Sequence, residues 1–314
     1  MDEARAGLCS RLFAETDLDG VYSHGINRFQ RFVEQIRQGV VDVDVEPYLV
    51  SGSGCMERWD AGGGVGNLAA YLSMGRAIEL AGDHGVGLVA LGNTNHWMRG
   101  GTYGWQTADA GVVGMCWTNT MPNLPPWGSS EPRIGNNPLV LAVPREGGHV
   151  VLDSAMSMFS YGALASYRSC GEMLPVDGGY DPEGNLTRNP AEIEASGRPL
   201  PMGFWKGSGL SIVLDLVGAL LSGGRATHEI TPDPIRESSL SQVFIAIDPQ
   251  GMYGSSHEEE SVADRLLEHL HSSTPAPGHD GVSYPGERTL ATREENRELG
   301  IPVDPEVWRA VQTM

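Results

Sequence analysis

Lysine is almost missing from this chain. Of its 21 basic residues among 314, Lys206 is the sole lysine and the others are arginine. Positive charge is scarce as a whole: 40 acids leave a formal net charge of −19. That balance argues against nucleic acid or an anionic membrane as a partner. An anionic small ligand would need basic groups gathered locally against the global field. Cysteine is sparse, with Cys9, Cys55, Cys116 and Cys170 scattered and no CxxC. This is neither a disulfide framework nor a zinc site, and it points to a reduced, cytoplasmic protein. No run of 18 apolar residues suggests a membrane span. The opening "MDEARAGLCSRLF" lacks the basic start and apolar stretch of a signal peptide. The histidines form no HExxH. His269 and His271 are two apart, and His84, His228, His257 and His279 stand alone, so no metal is expected.

What is present reads as α/β. Helical periodicity covers 2–18, 27–38, 67–83 and a segment from Gly207 that ends at "SGG". Strand-like runs occupy 86–91, 112–117, 139–144, 149–153 and 242–248, with a helix-like 103–111 between the first two. Residues 272–287 are a Pro/Gly-rich loop followed by two helices, the last with Asp304 as its cap. The division expected is a helical N-terminal part (1–50), an α/β part holding cofactor and substrate (51–287), and a helical C-terminal part (288–314) packing on the first.

Several segments carry candidate chemistry. In "GVYSHGINRFQRF", His24 lies near a helix start with Ser23 as an expected N-cap, and Arg28 follows four residues later. "GNTNHWMRGGTYG" follows a strand and gathers Asn93, Asn95, His96 and Arg99 where α/β folds often bind ligands. "GVGNLA" (64–69) fits a loose dinucleotide pattern, but the preceding "CMERWDAGG" makes a poor buried strand, so a Gly-rich turn before a helix is the better reading. "WKGSG" places Lys206 and glycines at a helix start, an arrangement suited to an anion. Residue type alone leaves open whether Lys206 is a contact or chance. The proline-rich 116–139 holds Asn119, Thr120, Arg133 and two tryptophans able to stack on a sugar or a nicotinamide. These residues fit a dehydrogenase, an isomerase or a lyase.

Taken in order, "SHGINRFQRFVEQIRQG", "GNTNHWMRGGTYGWQTADAG", "RIGNNPLVLAVP", "VVLDSAMSMFSYG", "LPMGFWKGSGLSIVLD" and "YPGE" resemble the malate/L-lactate dehydrogenase family of the second, non-Rossmann type. "MSMFSYG" and "PPWG" resemble its sugar-acid-reducing branch most closely. The resemblance implies a mixed sheet with flanking helices and a homodimer. It also implies reduction of a 2-oxo acid, or the reverse, with NAD(H), NADP(H) being the alternative. By it, His24 is the proton donor as an imidazolium, and His96 is a rival for that role. The resemblance also implies that Ser23, Arg28 and Asn119 line the substrate. It implies as well that the segment His149, Val150, Val151, Leu152, Asp153, Ser154 and Ala155 holds the cofactor with Trp205, Lys206, Gly286, Glu287, Arg288 and Thr120. The substrate is a sugar acid or, alternatively, malate, lactate, ureidoglycolate or a cyclic imino acid. A binding protein that has lost turnover is the non-enzyme alternative. Two departures stand out: the family carries a further helix ahead of the present Met1, and the middle residue of "GER" differs from the best-matching type.

Overall fold

The computed structural model describes residues 1–253 and 258–314. Seven strands form one sheet: β1 (Tyr48–Ser53), β2 (Met56–Asp60), β3 (Val86–Thr94), β4 (Val113–Thr118), β5 (Leu139–Val143), β6 (Val150–Ser154) and β9 (Leu240–Ile247). Their spatial order is β1-β2-β3-β9-β4-β5-β6. Only β2 and β3 run parallel among the described pairs, so the sheet is mixed. β7 (Gly179–Tyr180) and β8 (Leu186–Thr187) make a small separate ribbon.

Eleven helices appear among the described residues: α1 (Glu3–Leu18), α2 (Ile26–Arg37), α3 (Gly66–His84), α4 (Gly101–Asp109), α5 (Tyr161–Cys170), α6 (Pro190–Ser196), α7 (Trp205–Ser222), α8 (Pro249–Tyr253), α9 (Glu258–His271), α10 (Glu287–Leu299) and α11 (Pro305–Gln312). The sequence periodicity places α1 to α4, α7, α10 and α11 within a few residues. It misses α5 and α6, which are short and cover a separate small core of Leu164, Leu174 and Ile193.

One correction concerns 56–60. Polar "MERWD" hides a strand, β2, because it lies next to the sheet edge and stays partly exposed. The unit β2–α3–β3 is therefore a true parallel crossover, and the glycine turn at 61–66 is its strand-to-helix link.

Both faces of the sheet carry helices. On one, alanines of α3 (Ala69, Ala70, Ala77 and Ala81) let the helix lie close to Val89, Leu91 and Phe244, and α4 adds Tyr103 and Trp105. On the other, Leu210, Leu214 and Val217 of α7 pack on Ala90, Trp117 and Val243. By length and composition α7 would be able to cross a membrane, but this stripe rests on the sheet. Its outer stripe, with Ile212, Val213, Leu216 and Leu220, is exposed. The terminal helices meet: Asn296 of α10 donates to Leu18 O at the end of α1 (2.9 Å), and Arg37 of α2 donates to Met314 O (3.2 Å).

Candidate active site

The His24 turn is built by α1 and α2 together. After α1 the chain hooks back, with Val21 N–H donating to Thr16 O (3.0 Å) and His24 N–H to Val21 O (3.0 Å). Tyr22–His24 form a single 3-10 turn and α2 starts only at Ile26. Ser23 is thus not the cap, and His24 and Arg28 do not share a helix face. The N-cap is Gly25, which has no side chain to cap with, and Asp17 of α1 fills the role: its Oδ2 accepts from Ile26 N at 2.7 Å. Glycine is required at 25 because a Cβ there would overlap that carboxylate. Ser23 is left free to meet its neighbour, Oγ to His24 Nδ1 at 2.9 Å.

His96 sits just past the end of β3. Met98 N–H donates to its Nδ1 (3.0 Å), and this bond assigns the ring proton of the neutral form to Nε2. The loop is anchored from the glycine turn before α3. Asn95, buried, donates to Gly63 O and Gly64 O, each at 2.8 Å. A Cβ at Gly66 would overlap the carbonyls of Asn95 and His96. The glycines that imitate a dinucleotide motif are therefore the support of the His96 loop. Gly66→Ala is expected to lower activity by displacing this loop, with a thermal shift accompanying it; unchanged kinetics would contradict that role.

These two elements bring the histidines together, with ring centroids 5.9 Å apart and planes inclined by 21°. Arg28 lies beside them. Among the described residues its guanidinium makes no hydrogen bond or ion pair, and burial followed by repulsion from Arg31 pulls its pKa down to about 10. Glu237, a buried carboxylate, is the counter-charge to this arginine pair, 3.9 Å from Arg31, and also accepts from Met121 N (3.1 Å). Burial first, then Arg28 and Arg99, pulls His24 down to about 4. Burial, Arg28 and His24 hold His96 well below the usual imidazole range. Both rings are neutral at pH 7 in the free protein, so the imidazolium expected at His24 is not its resting form. A protein of net charge −19 has here a local excess of positive charge, which suits an anion.

A cavity of about 260 Å³ adjoins this turn. Val21, Arg99, Trp105, Val151, Leu152, Asp153 and Gly286 are among its walls. It brings β6 and the start of α10 together, two segments far apart in sequence. Asp153 faces it and accepts from Gly101 N at the start of α4 (2.7 Å). Arg99, which the sequence set only among the loop's donors, is nearly buried and its Nε is unpartnered. Asp19 holds Arg99 and also Arg293, the latter by two bonds of 2.6 and 2.8 Å, and Arg293 lies 4.2 Å over the Trp105 ring. Removing Asp19 leaves two cations facing each other. Asp19→Ala should therefore destabilise the fold by about 3–5 kcal/mol, measured by urea unfolding.

The remaining expected residues scatter. Val150 and Ser154 are the two ends of β6 and Ala155 follows it, Ser154 Oγ approaching Met202 Sδ at 3.8 Å. Trp205 and Lys206 are exposed at the start of α7 and do not line the cavity. His149 points to Asp109 (3.0 Å) and packs at a tilt against Trp105. Glu287 accepts from Tyr284 N and meets His271 (3.0 Å), and Arg288 is exposed. Asn119 is fully buried: it donates to Asp215 (2.8 Å) and Arg225 O (2.7 Å) and accepts from Ser241 N (2.8 Å), a structural place rather than a substrate-lining one. Thr120, also buried, bonds Asn136 and Asn137. The two tryptophans of 116–139 do not pair: Trp117 is buried with its N–H on Leu214 O, and Trp127 packs at a tilt against Phe204. His257 lies outside the described residues. Among those described, no group of three or more His, Cys, Asp or Glu could hold a metal.

Residues 1–312 match the model of a family described as malate/L-lactate dehydrogenase. The chain belongs to the malate/L-lactate dehydrogenase family. It is 47% identical to 2,3-diketo-L-gulonate reductase of Escherichia coli (strain K12), over all of this chain and 94% of that protein. Solved structures agree. Malate dehydrogenase from Pyrococcus horikoshii OT3 superposes with a TM-score of 0.89 at 28% identity, covering 100% of this chain and 88% of that one. Sulfolactate dehydrogenase from Methanocaldococcus jannaschii gives 0.88 at 27%, covering 98% and 89%. This family member is an oxidoreductase acting on CH–OH, a 2-hydroxy acid dehydrogenase, and its family suggests a nicotinamide cofactor.

Proposed function

We propose that this dehydrogenase reduces the C2 ketone of 2,3-diketo-L-gulonate to 3-dehydro-L-gulonate, using NADH, in sugar-acid catabolism. The observation that carries the reading is the unpaired Arg28 beside two neutral histidines. The identity to the Escherichia coli reductase supports this substrate over malate or lactate. The residues that would hold the cofactor are those of the 260 Å³ cavity, with its donor at Arg99 and its acceptor at Asp153. Trp205 and Lys206 would extend that site beyond Ser154. The cavity is smaller than the about 300–1,000 Å³ of whole-ligand sites and fits one moiety.

When bound, a nicotinamide supplies a hydride to the substrate carbonyl. This chain's residues handle the rest. Arg28 holds the substrate carboxylate, by two parallel bonds where geometry allows. The Nε2–H of His96 points a fixed donor toward the oxygen that becomes the hydroxyl. His24 carries the proton that this oxygen receives. A carboxylate bound at Arg28 offsets the charge that depresses His24, so substrate binding itself raises the proton affinity of the ring. Ser23 steers the ring through Nδ1.

NADPH is the alternative cofactor, with exposed Arg288 as the cation for its extra phosphate. A homodimer is supported by uncovered apolar surface: the outer stripe of α7, and Val86, Met115, Val143, Leu152 and Ile247 on the same face of the sheet. Four free cysteines accord with a cytoplasmic setting.

The test follows NADH and NADPH oxidation with 2,3-diketo-L-gulonate beside oxaloacetate, pyruvate and a cyclic imino acid. A kcat/KM at least tenfold higher for the diketo acid with NADH is expected. Equal or better turnover of a simple oxo acid would keep the reaction class and overturn the substrate.

A further inference from the structure

We propose that Asp17 is a positioning residue for His24, its carboxylate reaching from α1 to supply the cap that α2 lacks and so fixing the turn that carries the histidine. The proposal rests on the reading that His24 serves the reaction. It touches neither substrate nor cofactor.

The geometry is a closed hook. Asp17 O accepts from Gly20 N (2.9 Å), Val21 and His24 are bonded back along the same turn, and Asp17 Oδ2 then grips Ile26 N, two residues past His24. Gly25, between them, lies against the carboxylate with no room for a side chain. Any loosening at Ile26 is transmitted to His24 through one residue. The grip depends on charge. Asp17 is buried, and its Oδ1 has no partner. One hydrogen bond and the positive end of α2 are what favour its ionised form.

The charged and titratable groups on the elements around Asp17 are engaged elsewhere or set no shift on it, which burial and the Ile26 bond determine. Asp19 follows on α1, already held by Arg99 from the loop after β3 and by Arg293 from α10. His24 lies in the turn and Arg28 on α2, while α10 adds the neutral Asn296, which donates to Asp17 O (3.4 Å). Burial pushes the Asp17 carboxyl up to about 6, although the Ile26 bond opposes the rise. His24, at about 4, and His96 titrate lower in the free protein. Because kcat/KM reports the free enzyme, loss of the grip on Ile26 as Asp17 gains its proton predicts an acid limb near pH 6.

Stability and activity must then move in opposite directions. A carboxyl whose folded pKa is raised binds its proton more tightly in the folded state. Its contribution to stability grows as pH falls through about 6 toward the ordinary carboxylate range. The cap weakens over the same interval. His24 contributes with the other sign, since its lowered pKa makes the fold less stable as pH falls from 6.5 toward 4. Variants must therefore be compared with wild type rather than wild type read alone.

The experiment measures kcat/KM for 2,3-diketo-L-gulonate with NADH, and the melting temperature, from pH 7.5 to 5 in wild type, Asp17→Asn and His24→Ala. Asp17→Ser, an uncharged acceptor, is the second variant if Asn does not fold. At pH 7.5 the Asn variant, which keeps an acceptor but loses the charge at the positive end of α2, should be about 2- to 5-fold slower and lack the limb near pH 6. As pH falls, the melting-temperature difference should shift in favour of wild type while its kinetic advantage disappears. A limb retained near pH 6, wild-type kcat/KM in Asp17→Asn, or both differences moving together would overturn the proposal. Full turnover in His24→Ala overturns the reading of His24 instead, and the melting comparison still reports on Asp17.

Discussion

His24→Ala lowers kcat by about 10²- to 10⁴-fold while KM changes little. The ring contributes a proton to an oxygen that gains charge only as the reaction proceeds, so its loss raises the barrier without weakening substrate binding. The fold should tolerate the change, because among the described residues the one side-chain hydrogen bond of His24 is to Ser23. His96→Ala separates the rival roles. Its fixed Nε2–H donor polarises the carbonyl, so its loss affects both kcat and KM. Steady-state kinetics of the two single variants and the double variant check the division. A His24→Ala enzyme within threefold of wild type, with His96→Ala inactive, would reverse the assignment.

Arg28→Met should raise KM for the oxo acid by about 10- to 200-fold, the range expected when a hydrogen-bonded charge pair is lost. Its effect on stability should be the reverse of the usual loss. In the free protein Arg28 is a desolvated cation facing another arginine, and burial together with Arg31 pulls its pKa down to about 10. Removing it relieves that cost, so the melting temperature should hold or rise. Arg28→Lys keeps the charge but loses the planar fork, and should recover only part of the affinity. Kinetics and thermal melting of the same preparations read both effects. An unchanged KM would place the carboxylate elsewhere.

Much of the fold is legible because its long elements are periodic. α3 and α7 show their apolar stripes, and β3 and β9 are continuous apolar runs. β2 is not legible, since an edge-proximal strand with one exposed face can carry Glu57, Arg58 and Asp60. The pairing of His24 with His96 needs the crossover that brings the end of β3 beside the turn after α1, a long-range contact that no local pattern contains. Asp17 is hidden for the same reason: it caps a helix nine residues ahead, outside the spacing of a local capping box. Asn119 misleads in the other direction. A polar residue in a polar loop reads as a ligand contact, yet its amide is fully occupied by Asp215, Arg225 and Ser241. Glu237 carries no local signal at all, and its role appears only once Arg28 and Arg31 are placed opposite it.

The central claim is hydride delivery to the carbon next to the carboxylate that Arg28 holds. NADH deuterated at C4 of the nicotinamide, mixed with the protein and 2,3-diketo-L-gulonate, tests it by mass and NMR analysis of the product. The prediction is one deuterium on C2 of the hydroxy acid when the transferred position is labelled. Deuterium on C3, or a product formed without any label from either C4 position, would contradict the account.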